Sequence, residues 1–438
     1  MEVLRGLLGV AVLLGTALLL SEDRRRFNWR LTAGGLILQL LLALAFLREV
    51  PGIRSLFDGF ARAVVTLLDH SAAGARFVFG PLADANLTGE AFGGGRVIVF
   101  AFQVLPVIVF FSALTSLLYY LGVLQKFVAG FAWIMRRAMG LSGPESLAAA
   151  GNVFLGMTEA PLLVKPYIAG MTRSELMALM TGGMATIAGS VMLAYIAMLG
   201  GDDPAQKERF AGFLLCASLM NAPASLVVAK ILVPRSPGGS ERATPRIRVA
   251  REDCGVNVWD AVVRGTAQGL HLAFNVAAML IVFVALISLC NGLLQWLGSL
   301  TGLGGWMERA TGGIYSGLTL EGCAGLLFAP VAWVIGIPVE DMIRCGQLLG
   351  TKIIANEYLA YQQLGLWRSE GLLGERSLLL ITFALCGFAN IASVGIQIGG
   401  IGVLAPERRE DLARLGAKAL AGGFIASLLS AAVVGMVI

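Results

Sequence analysis

Long runs without a charged side chain recur along this chain, and this feature restricts the fold more than any other. Examples are 97–125, 176–201, 265–307, 377–406 and 419–438. About 20 apolar residues are enough for a helix to cross ~30 Å of hydrocarbon. Of the 438 residues, 57% are hydrophobic and 14% are charged. The chain is therefore predicted to be an all-α polytopic membrane protein.

Charge and cysteine content exclude several other classes. The net charge is +5, and the basic residues fall in short loops, which is typical of membrane orientation. A basic stripe on a soluble domain, which nucleic-acid binding would need, is absent. The six cysteines never form a CxxC pair, which favours an apolar packing role. We find no nucleophile–base pair or metal-ligand set for an intramembrane enzyme and expect no organic cofactor.

Arginine placement predicts the sidedness of the chain. An apolar run at 6–20 precedes Arg24–Arg26, the reverse of a signal peptide, so the N-terminus is predicted to lie outside. Cytoplasmic loops are expected where arginines cluster, at 22–30, 136–137, 234–264 and 407–418. The polar linker 234–264 divides the chain into two halves.

A parity argument identifies segment 143–170 as unusual. Two full-length spans, 174–200 and 208–232, lie between the cytoplasmic pair Arg136–Arg137 and the cytoplasmic linker. A third crossing would place the linker outside, so 143–170 is predicted to enter and leave the membrane on the same side.

For 318–337 and 340–366 parity leaves two possibilities, that both cross or that neither does. Hydropathy alone favours a crossing by 318–337.

Two further segments have distinctive lengths or patterns. Segment 53–80 is amphipathic with charges at intervals, which predicts a helix lying in the membrane interface. The run 97–125 is longer than one crossing needs, which predicts a strongly tilted helix.

Glu159 is the most conspicuous polar residue, because it lies in the otherwise apolar GNVFLGMTEAPLLVKPYI at 151–168. A carboxylate at membrane depth costs roughly 2.5–3.5 kcal/mol on insertion scales. Gly156 and Pro161 on either side interrupt helices. A broken segment with an ionisable group is typical of a transporter's substrate site.

Three motifs in this order resemble those of the concentrative nucleoside transporters: GMTEAP (156–161), GTKIIANEYLAY (350–361) and CGFANIASVGIQIGG (386–400). The resemblance implies eight transmembrane helices, two re-entrant hairpins and interfacial helices, with inverted repeats in a transport domain. It also implies a homotrimer in the bacterial inner membrane, with the lipid bilayer and a nucleoside as its other partners. Segment 340–366 becomes the second hairpin, and 318–337 becomes an extracytoplasmic helix lying against the bilayer.

The same resemblance divides the chain into a scaffold and two transport repeats. The scaffold comprises 1–137 and 265–337, with two spans, the interfacial helix and the long tilted third span in its first part. Each repeat is a hairpin followed by two helices, and 375–403 and 412–437 are the two helices of the second. The repeats are 138–233 and 338–438, joined through the cytoplasmic linker 234–264 and the second scaffold part.

Eight substrate-binding residues follow from the resemblance. Those expected to face the base are Met157, Thr158, Glu159 and Val191. Those expected to face the ribose are Glu357, Asn390 and Ser393, with Phe388 as an apolar wall. An ionised Glu357 can accept charge-assisted hydrogen bonds from ribose hydroxyls. The alternatives are that both glutamates cap broken helices and that Asn390 and Ser393 only join helices.

Many members have glutamine where this chain has Met157. Lys352 and Lys165 are expected to snorkel or to pair within their hairpins.

Sodium is the expected coupling ion, because the family's sodium site maps onto chemically suitable residues. They are the side chains of Asn152 and Thr186 and the carbonyls of Leu155 and Ile187. The alternatives are proton coupling, a symporter of the same architecture for another small polar solute such as a free base, and a passive channel. Paired broken hairpins favour alternating access, with an elevator-like movement of the transport domain, over a channel.

Overall fold

The computed structural model describes residues 2–48, 53–91, 99–201, 203–235 and 255–438. Most of the predicted linker, together with Cys254, lies outside these ranges. Every regular element within them is helical, so the predicted all-α class is confirmed. The α-helices are α1 Glu2–Leu19, α2 Trp29–Leu47, α3 Ile53–Phe79, α4 Ala85–Ala91, α5 Phe100–Gln103, α6 Leu105–Tyr120, α7 Val123–Met139, α8 Gly143–Asn152, α9 Ala160–Leu163, α10 Lys165–Ile168, α11 Arg173–Ala185, α12 Gly189–Gly200, α13 Pro204–Leu232, α14 Val258–Thr301, α15 Leu303–Ala310, α16 Leu320–Val334, α17 Met342–Ile354, α18 Glu357–Ser369, α19 Glu375–Leu385, α20 Ile391–Leu404 and α21 Arg409–Val437.

Seven helical segments in the described part of the chain are long and apolar enough to cross a membrane. They are Glu2–Leu19, Trp29–Leu47, Phe100–Tyr120, Arg173–Gly200, Pro204–Leu232, Val258–Thr301 and Pro406–Val437. The remaining expected span, 375–403, is present as the two short helices α19 and α20 on either side of a break. The count of eight spans stays a prediction.

The helical span within 97–125 is shorter than the charge-free run, and its tilt stays a prediction. Pro106 begins α6 after the short helix α5, and α6 ends before Gly122, whose φ of 77° is left-handed. Glycine adopts this conformation without the cost of a Cβ atom. The apolar segment Phe100–Tyr120 has 21 residues, about 32 Å of helix, so no strong tilt is needed. The separate helix α7 carries Arg136–Arg137 in its last turn.

The predicted amphipathic helix at 53–80 is α3. Its buried residues recur every three or four positions, at Phe57, Ala61, Val64, Leu68 and Ser71. This period places them on one face of the helix. The helix is confirmed, and its position in the membrane interface stays a prediction.

The helices at 318–337 and 340–366 are short. α16 has 15 residues, about 22 Å, and contains Pro330, while α17 and α18 have 13 residues each. None reaches the ~20 residues of a crossing, which argues against the span that hydropathy favoured for 318–337. α16 packs closely along α17, because Gly346 and Gly350 bring the two backbones together. A Cβ atom on either glycine would meet atoms of α16 at 2.5 Å.

The interior of the protein is built from α11, α12, α13, α19 and the second half of α21, whose side chains are mostly buried. In contrast, α14, which has 44 residues, leaves most of its apolar side chains exposed. Although α20 itself is largely accessible, the breaks at 186–188 and 386–390 lie among buried residues. Irregular backbone at membrane depth requires such surroundings.

Candidate functional site

Two interrupted helices contact each other at their breaks. The first break is Thr186–Ala188, between α11 and α12, and the second is Cys386–Asn390, between α19 and α20. The backbone N–H of Phe388 donates to the carbonyl of Thr186 at 3.3 Å. The breaks of the two halves of the chain therefore meet directly.

Gly387 and Asn221 explain how the breaks approach so closely. Gly387 has a φ of 141°, and a Cβ atom there would lie 2.5 Å from the carbonyl oxygen of Ala185, so only glycine fits. Asn221 of α13 donates through Nδ2 to the carbonyls of Ala185 and Cys386, at 2.8 and 2.7 Å. These carbonyls lie where α11 and α19 end and have no partner in their own helices.

Replacing Asn221 by leucine is expected to destabilise the protein and abolish transport. Leucine has a similar volume but leaves two buried carbonyls without donors, at a cost of about 1–3 kcal/mol each. We expect a lower thermal unfolding midpoint in detergent and no uptake by proteoliposomes. Ser430→Ala is the control, because the Ser430 hydroxyl is also buried but bonds only to its own helix. Wild-type unfolding and transport in Asn221→Leu would exclude this bridging role.

A buried ion pair fixes the first hairpin segment, 143–170, to α13. Glu145 of α8 pairs with Lys230 of α13, and Arg235 approaches the same carboxylate at 3.0 Å. Glu145 also accepts from the backbone N–H of Ser142, so the start of α8 is capped. Breaking a buried pair leaves an uncompensated charge, so these contacts hold α8 firmly in place.

The interruption at 153–159 lies against the first break. The N–H of Gly189 donates to the carbonyl of Phe154, and the Ser218 hydroxyl donates to the carbonyl of Val153, both at 3.0 Å. α8 has only 10 residues, and α9 and α10 have four each. None of them spans a bilayer, which agrees with the parity argument, and re-entry into the membrane stays a prediction.

The residues expected to face the base lie on this interruption and on α12. A Cβ atom on Gly183 of α11 would lie 2.9 Å from that of Met157, and one on Gly400 of α20 would lie 3.3 Å from the Thr158 methyl group. Met157 and Thr158 therefore contact the interrupted helices of both halves. Val191 is buried in the first turn of α12, next to the first break.

Glu159 keeps most of its hydrogen-bonding capacity free. Its half-buried carboxylate accepts from the backbone N–H of Gly156 at 3.4 Å, which is long for a hydrogen bond. It stands at the N-cap of α9, yet its side chain makes no capping bond to that helix. This one bond to an amide of the interruption leaves most acceptor sites of the carboxylate open, and the role of Glu159 stays a prediction.

A second polar cluster surrounds Glu357, the first residue of α18. Tyr195 donates to one of its carboxylate oxygens at 2.9 Å, and Asn390 Nδ2 donates to the other at 3.0 Å. Asn390 caps α20 by accepting from the N–H and the hydroxyl of Ser393, at 2.9 and 3.0 Å. The structure thus brings together Glu357, Asn390 and Ser393, and Phe388 lies half-buried in the same break.

Tyr195 and Asn221 are site residues that the sequence analysis missed. Tyr195 stacks on Tyr361 with ring centroids 4.3 Å apart and connects α12 of the first half to Glu357 of the second. The sequence signal for both residues is a polar side chain within a long apolar run, because buried tyrosine hydroxyls and amides need hydrogen-bond partners. No hydrogen bond joins the Glu159 group to the Glu357 group among the described residues.

Asn152, at the end of α8, has the properties of a cation ligand. It is 1% exposed, and neither its Oδ1 nor its Nδ2 has a hydrogen-bond partner. The buried hydroxyl of Thr186 donates to Gly182 and keeps its own oxygen free to act as a ligand. Leu155 and Ile187 are buried in the backbone interruptions that follow α8 and α11. Two helix C-termini converge here with their partial negative charge, so these neutral oxygens fit a small cation.

Lys352 does not snorkel or pair within its hairpin, so that expectation is wrong. It is fully buried and donates to the carbonyl of Ala384 in α19 and to the hydroxyl of Ser427 in α21, both at 2.9 Å. Lys165, by contrast, is exposed. The end of α19 supplies a carbonyl oxygen to Lys352 in place of a direct carboxylate partner.

A polytopic helical bundle with buried polar groups at two crossing breaks defines a membrane transporter. Models of the "Na+ dependent nucleoside transporter" family match its N-terminal region at residues 8–82 and its C-terminal region at 213–435, and a "Nucleoside recognition" gate model matches 101–202. The chain belongs to this family, the concentrative nucleoside transporters. It is a transporter family, not an enzyme family.

Relatives of known sequence and structure are similar along the whole chain. An uncharacterised transporter of Haemophilus influenzae is 41% identical over 100% of this chain and 98% of its own. Sodium/nucleoside cotransporter 1 of Rattus norvegicus is 36% identical over 98% of this chain and 63% of its own. CNTnw in an inward-facing substrate-bound state has a TM-score of 0.87 at 39% identity, covering 100% and 98% of the two chains. A doubly substituted CNTnw in an outward-facing state has a TM-score of 0.86 with the same identity and coverage.

Proposed function

We propose that this protein is a symporter that couples sodium entry to the import of nucleosides across the bacterial inner membrane. The observation that carries the proposal is the meeting of the two helix breaks. One side presents Asn152 with unpaired amide atoms, and the other presents Glu357 held by Tyr195 and Asn390. Contact between the breaks allows an ion bound on one side to change the affinity for substrate on the other, which is what coupling requires.

The Glu357 cluster suits the ribose. An ionised carboxylate has about four lone-pair sites, and Tyr195 and Asn390 occupy two of them, so hydroxyls can donate to the others. Charge-assisted bonds of this kind are about twice as strong as neutral ones. Asn390 and Ser393 add a polar edge, and Phe388 offers an apolar surface to the sugar.

The base is assigned to the interruption at 153–159 and to Val191. Glu159 can accept from an N–H on a base edge, since its one long bond to Gly156 leaves most of its acceptor sites open. Thr158 is exposed and can donate or accept. Met157 offers a flexible thioether that contacts aromatic rings.

Sodium is assigned to the Oδ1 of Asn152, the Oγ of Thr186 and the carbonyls of Leu155 and Ile187. The donors are neutral oxygens, and both side chains are buried. A bound positive charge would stabilise the carbonyl ends of α8 and α11 beside the substrate. Affinity for the nucleoside should therefore rise with sodium.

Movement of the substrate is assigned to an elevator-like shift of a transport domain, 138–233 with 338–438, against a scaffold, 1–137 with 265–337. CNTnw, which is 39% identical, has been captured facing inward and facing outward.

We further propose a homotrimer with each N-terminus outside. The exposed apolar side chains of α14 offer surface for lipid and for neighbouring subunits.

Uptake of labelled uridine into proteoliposomes tests the proposal. We expect accumulation above equilibrium with an inward sodium gradient and equilibration without it. A pH gradient alone should not drive accumulation, and excess uracil should compete less well than excess adenosine. Accumulation driven by the pH gradient would favour proton coupling, and stronger competition by uracil would favour a nucleobase transporter.

Glu159→Gln is expected to reduce uridine uptake by about tenfold or more while the protein stays folded. The amide loses the charge-assisted bond to the base, worth about 1.5–3 kcal/mol. Binding of uridine to purified protein provides the measurement, and thermal unfolding shows whether the fold is kept. Wild-type affinity in this variant would remove Glu159 from the site.

Met157→Gln is expected to sharpen the choice between pyrimidine and purine nucleosides. Glutamine can donate to and accept from a base edge, whereas methionine accepts only weakly and holds a base by shape and sulfur–aromatic contact, worth ~0.3–1.5 kcal/mol. Competition of uridine uptake by adenosine, guanosine, cytidine and 2′-deoxyuridine provides the readout. The effect of 2′-deoxyuridine should be unchanged, because it reports on the ribose side. Identical competition profiles for the two proteins would show that position 157 does not read the base.

A further inference from the structure

Lys352 is a buried cation that the mechanism above does not use. Its ammonium has three N–H donors. Two of them reach the carbonyl of Ala384 and the hydroxyl of Ser427, and the ring of Phe424 lies with its centroid 5.8 Å from Nζ. That distance is within cation–π range. No carboxylate oxygen lies within ion-pair distance of Nζ in the described part of the chain.

The other buried lysine shows how unusual this environment is. Lys230 is paired directly with the carboxylate of Glu145. A buried charge is ordinarily neutralised in that way. The direct contacts of Lys352 are instead carbonyl and hydroxyl oxygens, which is the kind of ligand set that a small metal cation receives. Glu357 acts on it electrostatically without a direct ion pair.

The two halves of the chain repeat the same three elements around this position. The first half has α8, the broken helix beginning with α11, and the long helix α13. The second half has α17, the broken helix beginning with α19, and the long helix α21. Asn152 is the last residue of α8, and Lys352 lies in the last turn of α17.

The side chains at these two positions face corresponding neighbours. A Cβ atom on Gly182, in the last turn of α11, would lie 2.9 Å from Asn152 Nδ2 and 3.7 Å from the Ser225 hydroxyl of α13. Lys352 likewise contacts the last turn of α19, at Ala384, and a serine of α21. The first half therefore places a neutral amide with unpaired atoms where the second half places an ammonium group.

We propose that Lys352 is a tethered cation that fills, in the second half, the place that sodium takes in the first. This rests on the proposed function, because it presupposes sodium at Asn152. A covalently attached charge satisfies the carbonyl end of α19 permanently and excludes a mobile ion from this place. Each transport cycle therefore carries one sodium ion per nucleoside.

The test compares wild type with two variants in proteoliposomes. In wild type, the ratio of labelled sodium flux to uridine flux should be one, and uptake should depend on sodium with a Hill coefficient of one. Lys352→Met keeps length but removes charge, so uptake should fall by about tenfold or more with the Hill coefficient unchanged. Lys352→Asn supplies an amide like that of Asn152, so uptake should recover at high sodium and its Hill coefficient should rise towards two.

Three results would overturn the proposal while leaving sodium-coupled transport intact. They are two sodium ions per uridine in wild type, wild-type uptake by Lys352→Met, and a Hill coefficient that stays at one in folded Lys352→Asn. If Lys352→Asn does not fold, the wild-type flux ratio and Lys352→Met decide. Uptake by wild type that ignores sodium would instead overturn the proposed function and this inference with it.

Discussion

Replacing Glu357 by glutamine is expected to abolish concentrative nucleoside uptake while the protein stays folded. The carboxylate accepts from both Tyr195 and Asn390. An amide can accept from Asn390 Nδ2 and donate to the Tyr195 oxygen, because a tyrosine hydroxyl can also accept. The fold is therefore kept, but the negative charge that strengthens the bonds from the ribose hydroxyls is lost. Each charge-assisted bond to the ribose that is lost costs about 1.5–3 kcal/mol, or roughly 10- to 150-fold in affinity.

Uridine binding and uptake by the purified, reconstituted variant provide the measurement. Glu370→Gln is the matched control, because Glu370 lies at the end of the same helix, α18, and is exposed. It should bind and transport as wild type does. If Glu357→Gln transported normally, Glu357 would have no part in recognising the substrate.

Asn152→Ala is expected to raise the sodium concentration needed for half-maximal uptake by about tenfold or more. The substitution removes a buried oxygen that has no protein partner and that we assign to sodium. Nucleoside affinity measured at fixed sodium should fall with it, because coupling between two ligands is reciprocal. Thr186→Ala should act in the same direction.

Asn275→Ala serves as the control, since Asn275 is an exposed asparagine on the membrane helix α14. Its sodium dependence should match wild type. An unchanged sodium dependence in Asn152→Ala would place the coupling ion elsewhere.

The sequence predicts those features that depend on local patterns. Charge-free runs indicate the class of protein, because desolvating a charge in hydrocarbon is costly wherever it occurs. Parity singles out 143–170, and the structure breaks it into helices too short to cross. The resemblance brings together Glu357, Asn390 and Ser393, which the structure joins by hydrogen bonds.

Features that depend on which helices contact each other cannot be predicted from local sequence patterns. Tyr195, Asn221 and Lys352 are visible in the sequence as polar groups in apolar runs, which need partners. Those partners are known only once the crossing of the two breaks is known. Tyr195 bonds to Glu357 and Asn221 bonds to Cys386, each more than 160 positions away in the sequence. The charge pattern does not predict that α6 ends just before Gly122, because the residues on both sides of that glycine are uncharged.

Binding of uridine to purified wild-type protein, titrated against sodium at constant ionic strength, tests the central claim most directly. The claim is that one ion at Asn152 and one nucleoside at Glu357 stabilise each other across the crossing breaks. It predicts that uridine affinity rises with sodium and stays the same when the buffer is changed from mildly acidic to mildly alkaline. Affinity that ignores sodium and follows pH would contradict it and favour proton coupling.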